Sequence, residues 1–317
     1  MSPKASVVIA VYNRESTIEK CLHSALNQLF SEDHEVIVVD DGSTDSTRKL
    51  LARFCDSRLV LLYNEKNQGA SSARNRGIGK ALGRYIAFLD SDCIAKANWL
   101  EEIIKPFDLD PAVMITAGKT IGPSLAGNYW QQINEVQSYI ARKDGFVREA
   151  HSCNMGVRTS FIRENLFDES LPFSEDLDLC LRCLRNNSKI YYTHKAKVVH
   201  FSRSTFKSSL DSCFSWGAYN AFVRLKWQVF PFLNYGTYIL LSACMCLCLG
   251  LGGHIFWKRM GWSFFCIYMI LVLYIWLRPV NKNFLKPLFS FPVGLIFSMA
   301  NCIGNLWGAA LFVLKKR

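Results

Sequence analysis

Three short acidic clusters and one aromatic cluster, each closing an apolar run, hold the residues best suited to chemistry. Phe88-Leu89-Asp90-Ser91-Asp92 sets carboxylates at i and i+2, which point the same way while the chain is extended. Such a pair supplies hard oxygen ligands suited to Mg²⁺ or Mn²⁺. An ion held there can bridge a diphosphate and neutralise the charge that grows as it leaves. Two solvated loop acids are the plainer alternative. Val38-Val39-Asp40-Asp41-Gly42-Ser43 puts adjacent carboxylates at a strand end. Their repulsion is easier to explain if Asp40 accepts a hydrogen bond from a pyrimidine N–H or a ribose hydroxyl. The competing account is an Asp-Gly turn, with Ser43 or Thr44 capping the next helix. In Phe173-Ser174-Glu175-Asp176-Leu177-Asp178, Ser174 is placed to cap a helix whose dipole favours acids in its first turn. A carboxylate there is equally a general base for an attacking hydroxyl. The aromatic cluster is Ala10-Val11-Tyr12-Asn13-Arg14, where Tyr12 can stack on a base or simply pack. His200 closes the run Val198-Val199-His200 and is either a structural histidine or a metal ligand beside Asp92.

Strands alternating with helices are needed to bring these clusters together. The β-branched run ASVVIAV at 5–11 suits a strand buried on both faces. Further strands are predicted at 35–39, 59–63, 85–89 and 113–117. Helices are predicted at 16–28, with Ser16 or Thr17 as cap, near 44–54, and at 71–82, 98–110 and 175–185. Residues 189–200 read as one or two short strands, and 118–150 as a loop plus helix over the site. This alternation argues for an α/β fold with a mostly parallel sheet covered by helices on both faces. In such sheets ligands bind outside the carboxyl ends of the strands, where the clusters fall. No GxGxxG and no GxxxxGK[ST] occurs, which excludes a dinucleotide fingerprint and a P-loop.

The 317 residues are 50% hydrophobic, with mean hydropathy +0.10, and their charge is uneven. Residues 236–317 contain no Asp or Glu and eight of the 37 Lys and Arg, so most of the net charge of +11 belongs to this tail. Cations placed between apolar runs suit the flanks of membrane helices better than a nucleic-acid surface. Apolar runs at 236–257, 262–277 and 288–314 predict about three transmembrane helices. A helix at 205–226, within a segment 205–235, is expected to lie in the membrane interface or to pack on the domain. Of the twelve cysteines, Cys244, Cys246 and Cys248 sit in an apolar segment as small hydrophobes, and with no signal peptide ahead of the first strand those of the catalytic domain read as reduced thiols facing the cytosol.

In order and context, VVIAVYNRESTIEKCLHSALNQ, EVIVVDDGSTDST, NQGASSARNRGI, RYIAFLDSDC and SEDLDL resemble the family 2 glycosyltransferases, which have the GT-A fold. The resemblance spans most of the first 200 residues. It implies a GT-A domain over 1–204, a nucleotide-diphospho-sugar donor with uridine expected as its base, and inversion at the anomeric carbon. It further implies that Val11 and Tyr12 line the base, that Asp40 bonds to it, and that Arg74 lies near the diphosphate. Asp90 and Asp92 correspond to the family's DxD motif, with Asp92 and His200 as ligands of Mg²⁺ or Mn²⁺. Asp176 corresponds to the catalytic base. A base is unnecessary when the acceptor is an ionised phosphate, so Asp176 favours a hydroxyl on a lipid-linked saccharide. The alternatives are a polyprenyl-phosphate glycosyltransferase and an inactive membrane-bound binding subunit. Processive synthases carry a Gln-x-x-Arg-Trp segment that is absent here. The expected location is the cell membrane, multi-pass, with the catalytic domain facing the cytosol.

Overall fold

The computed structural model describes residues 3–122, 143–201 and 205–229, with Ile303, Trp307, Leu311 and Phe312. The chain divides into two compact units. Residues 1–127 and 141–202 form the first, and 128–140 with 203–317 form the second.

The first unit is built on one mixed sheet. β1 (Ala5–Val11) lies between β2 (His34–Asp40) and β4 (Tyr85–Leu89), parallel to both, and β3 (Leu59–Tyr63) continues the parallel half beyond β2. The other half differs from expectation. β8 (Asn154–Arg158) runs antiparallel to β4 and to β6 (Val113–Ile121). β9 (Lys189–His200) is parallel to β6 and antiparallel to β5 (Cys93–Ala95) and β7 (Gly145–Val147). The sheet is therefore mixed rather than mostly parallel. The difference comes from β8, antiparallel to both its neighbours, and from β5 and β7, antiparallel to β9. β8 gave no strand signal, because its sequence NMGVR carries Asn, Gly and Arg in place of an apolar run.

Alternate residues of the central strands face two apolar layers, as a period of two requires. Val7, Ile9, Val36 and Val38 pack with α1 (Ile18–Leu26) and with Trp99 of α4 (Trp99–Ile104). Val8, Ile37, Val39 and Phe88 pack with Ile78 of α3 (Ala70–Lys80) and Leu179 of α7 (Glu175–Arg185). The predicted helix at 98–110 is two helices, α4 and α5 (Pro106–Leu109). The break falls at Pro106, whose ring cannot sit inside a continuous helix. Two short helices complete this unit, α2 (Thr47–Leu51) and α6 (Thr159–Glu164). Residues 189–200, read as one or two short strands, form a single twelve-residue strand.

The expected side-chain caps do not form. Thr17 precedes α1, but its hydroxyl donates to the Ser91 carbonyl at 2.9 Å, tying α1 to the Asp90–Asp92 turn. Ser46 rather than Ser43 or Thr44 precedes α2, and Asp45 accepts from the Thr47 N–H at 2.9 Å. Ser174 precedes α7 in a left-handed conformation (φ 61°), without a side-chain cap.

In the second unit α8 (Phe206–Lys226) is one helix, capped by the Thr205 hydroxyl, which accepts from the Ser208 N–H at 3.2 Å. Ala218, Ala221 and Val223 are buried and Trp216 is exposed. Among the described residues no helix is long and apolar enough to cross a membrane. The spans expected at 236–257, 262–277 and 288–314 lie outside those residues, apart from four helical positions between 303 and 312.

Candidate active site

Parallel pairing in register sets Val11 beside Asp40, so the loops after β1 and β2 open at the same rim of the sheet. Val11 is buried and Tyr12 beyond it is 41% exposed. Asn13, held at φ 50°, stitches the two loops together. Its carbonyl-type Oδ1 accepts from the Thr44 N–H at 2.8 Å, and its own N–H donates to the Ser43 hydroxyl at 3.0 Å. The ring of Tyr12 thus stands on a loop fixed by its neighbours.

The two acids of the Asp-Asp-Gly turn have separate roles. Asp41 is structural: it accepts from the N–H groups of Gln68 and Gly69 and from Asn64 Nδ2 at 2.7–3.1 Å, organising the entry to α3. Gly42 lets the turn lie against that loop. A Cβ there would meet the backbone carbon of Lys66 at 2.6 Å, and φ is +75°. Asp40 is wholly buried, and its Oδ2 pairs with Arg48, from Nε at 2.8 Å and from a terminal nitrogen at 2.7 Å. Arg48 also lies over the Tyr63 ring, 5.1 Å from its centroid. Of this pair only Arg48, its side chain 44% exposed against none for Asp40, is open to a ligand.

Asp90 and Asp92 follow β4 but turn to different partners. Asp92 Oδ1 lies 3.4 Å from His200 Nε2, and its Oδ2 lies 3.6 Å from Arg14 Nε. The sheet explains the first contact, since β5 and β9 pair Cys93 with His200. Burial pushes the Asp92 carboxyl up, but the hydrogen bond and charge of His200, aided by Arg14, outweigh it and hold the carboxyl below its usual range. Burial likewise opposes protonation of His200, and Asp92 overcomes it, raising the imidazole to about 9. Asp92, Cys93 and His200 bring one carboxylate oxygen, one thiol and one imidazole nitrogen within 4.8 Å of one another. An oxygen and a nitrogen donor at the mouth of a strand end suit Mn²⁺ or Mg²⁺. Thr120 and Cys153 close this corner, with Cys153 hydrogen-bonded to Cys93 and lowered to about 7 by that bond.

Arg74 joins the remaining acids. It is 6% exposed and donates from Nη1 to Glu175 Oε1 at 2.7 Å and from Nη2 to Asp90 Oδ1 at 2.8 Å. Burial works against its charge, and Asp90 and Glu175 more than compensate. The resemblance set Arg74 beside a diphosphate. In the structure each terminal nitrogen gives one N–H to an acid, so Arg74 fixes Asp90 and anchors the start of α7. Glu175 is raised by burial despite Arg74.

Next to it, Asp176 Oδ1 accepts from the Leu177 N–H at 2.8 Å, and Oδ2 accepts from the Ser152 N–H at 3.3 Å. His151 Nδ1 stands 3.5 Å from the same Oδ2. Burial would raise Asp176, but His151 prevails and keeps the carboxyl below its usual range. Asp90 and Asp176 are thus joined through Arg74 and Glu175, while Asp90 and Asp92 share one turn. Sequence reasoning missed Arg48, His151 and the linking role of Glu175. Glu175 lay inside an acidic cluster already singled out, while His151 and Arg48 stand outside the clusters.

The solved mannosyltransferase PcManGT from Pyrobaculum calidifontis, in complex with GDP-Man and Mn²⁺, shares this architecture. The TM-score is 0.68 at 16% identity, over 97% of this chain and 88% of that one. The fold is that of the GT-A glycosyltransferases. The family Glycosyl transferase family 2 matches residues 6–170, just over half of the sequence. The Escherichia coli UDP-Glc:alpha-D-GlcNAc-diphosphoundecaprenol beta-1,3-glucosyltransferase WfgD is 36% identical over 58% of this chain and 70% of its own length. An uncharacterized glycosyltransferase of Rickettsia bellii is 35% identical over 58% of this chain but only 27% of its own. The chain belongs to glycosyl transferase family 2.

Proposed function

We propose that this enzyme transfers a sugar from a nucleotide-diphospho-sugar to a hydroxyl of a lipid-linked saccharide, with inversion, in glycan assembly. The observation that carries the reading is the pairing of an ionised, half-buried Asp176 with a linked Asp90/Asp92 turn inside one unit. Tyr12 stacks on the base and Arg48, held by Asp40, bonds to its edge. Asp92 and His200 are the residues that would hold a divalent cation, which would supply charge neutralisation at the diphosphate. Arg74 keeps Asp90 in place at that end of the site. At the other end Asp176 takes the proton of the acceptor hydroxyl as its oxygen attacks the anomeric carbon from the face opposite the diphosphate. The carbon–oxygen bond to the phosphate breaks in the same displacement, so no enzyme nucleophile is required.

A hydroxyl acceptor accounts for Asp176, because an ionised lipid phosphate has no proton to remove. WfgD, whose name specifies a diphosphoundecaprenol-linked sugar as acceptor, supports this choice. The apolar, acid-free sequence from residue 236 supports a multi-pass membrane location, and cysteines read as reduced thiols support a catalytic unit on the cytosolic side. The test is to offer the purified full chain a panel of UDP- and GDP-sugars with either diphosphoundecaprenol-linked N-acetylglucosamine or bare undecaprenyl phosphate. Product on the saccharide-bearing lipid is expected. Product on bare phosphate alone would replace this reading with polyprenyl-phosphate transfer.

A further inference from the structure

His151 belongs to none of the motifs that define the site, yet the fold sets it against the base. It lies between β7 and β8, exposed at the surface, with Nδ1 3.5 Å from Asp176 Oδ2. The next residue reinforces the contact. Ser152 gives its N–H to the same Oδ2 at 3.3 Å and its hydroxyl to Glu175 Oε1 at 3.4 Å. Two donors therefore face Oδ2, whereas Oδ1 receives one, the Leu177 N–H. Oδ1 keeps the greater free capacity to accept a proton.

We propose that His151 is a positioning residue for sugar transfer: from the mouth of the site it pairs with Oδ2 of Asp176 and directs Oδ1 to the acceptor hydroxyl. The inference rests on Asp176 as the base. In the step itself the acceptor O–H proton passes to Oδ1. The acceptor oxygen bonds to the anomeric carbon, and the electron pair of the broken carbon–oxygen bond leaves with the nucleoside diphosphate. His151 retains its own proton throughout.

The charges around the pair fit this role. Asp176 raises His151 to about 9, so at neutral pH the imidazole is a cation. Glu149 and Cys153, on the same segment, add to that effect. From α7 the pair is faced by Glu175 and by Cys180, a thiol pushed up mainly by burial and further by Asp176. Arg74 on α3 adds a second cation that Asp176 reaches through space. Removing His151 leaves burial of Asp176 less opposed, so its carboxyl rises and protonates at a higher pH.

The test follows nucleoside-diphosphate release by the full chain from whichever of UDP-glucose, UDP-galactose and GDP-mannose it turns over fastest. His151→Ala is expected to lower kcat at pH 7 about tenfold, to leave donor KM within about twofold, and to move the acidic limb of kcat to higher pH. The loss therefore grows as pH falls. His151→Gln, a neutral donor of similar reach, should recover part of kcat but keep the displaced limb. Wild-type kcat with an unmoved limb in His151→Ala would overturn the inference, as would a uniform loss at all pH values accompanied by a lowered melting temperature. Asp176→Asn in the same assay separates the two readings. Retained release there removes the base assignment and this inference with it, whereas its loss beside an unaffected His151→Ala overturns only the role of His151.

Discussion

Replacing Arg74 with Met tests the joint between the two halves of the site. Its guanidinium is 7% exposed and answers two carboxylates, Glu175 at 2.7 Å and Asp90 at 2.8 Å. Met fills most of the stem's volume but leaves both acids without their cation. Breaking a buried pair from one side costs roughly 3–5 kcal/mol. The Asp90 side chain is 30% exposed and water takes over part of its loss, while Glu175, 12% exposed, bears most of it. The lower end, about 3 kcal/mol, is therefore expected. For a unit of this size that corresponds to a fall in melting temperature of about 6–12 °C.

The direction with pH follows from Glu175, whose carboxyl is already raised by burial and opposed chiefly by Arg74, with a smaller contribution from a backbone hydrogen bond. Without the arginine it rises further. A carboxyl whose folded pKa exceeds its unfolded one binds its proton more readily in the folded state, so stability lost at high pH returns as pH falls through that raised value. The deficit of Arg74→Met, followed by circular dichroism at pH 8 and pH 5.5, should shrink at the lower pH. Adding Glu175→Gln should restore part of the stability at pH 8. A variant that melts within about 2 °C of wild type at pH 8, a change below about 1 kcal/mol, would refute the bridge as a structural element.

Two further outcomes are expected. Tyr12→Ala should raise donor KM about tenfold, since stacking on a base contributes roughly 1–3 kcal/mol, with kcat little changed in steady-state transfer assays. Mn²⁺ binding should release a proton, because His200 is held near 9 by Asp92 and a metal takes only the neutral imidazole. Titration calorimetry in buffers of different ionisation enthalpy should show that release at pH 7. Apparent affinity should rise about tenfold per pH unit towards 9, and His200→Ala should flatten the dependence.

The parallel half of the fold was legible because β1 and β2 are rich in Val and Ile and α1 has one apolar stripe. The antiparallel half was not, because each unusual residue of β8 answers a contact distant in sequence. Asn154 accepts from Trp99 Nε1 at 2.8 Å and donates to the Ala196 carbonyl at 3.1 Å. Gly156 has no side chain because Thr116 occupies that space, and Arg158 donates to the Val113 carbonyl at 2.8 Å. No local periodicity encodes such pairings. The site divides in the same way. Asp90, Asp92, Asp176 and His200 stood out by type and by position at strand and helix ends. The partners that tune them did not, since Arg74 meets Glu175 across about a hundred residues and Ser174 gives up its expected cap for a left-handed turn.

The most direct measurement is single-turnover transfer by Asp176→Asn with the bound donor quantified in parallel. Asn keeps the shape of the side chain but cannot take the proton, and loss of a positioned base costs about 10²–10⁴ in rate. A fall of that size with donor affinity unchanged is the result this mechanism requires. Transfer at the wild-type rate by a donor-loaded Asp176→Asn would contradict it.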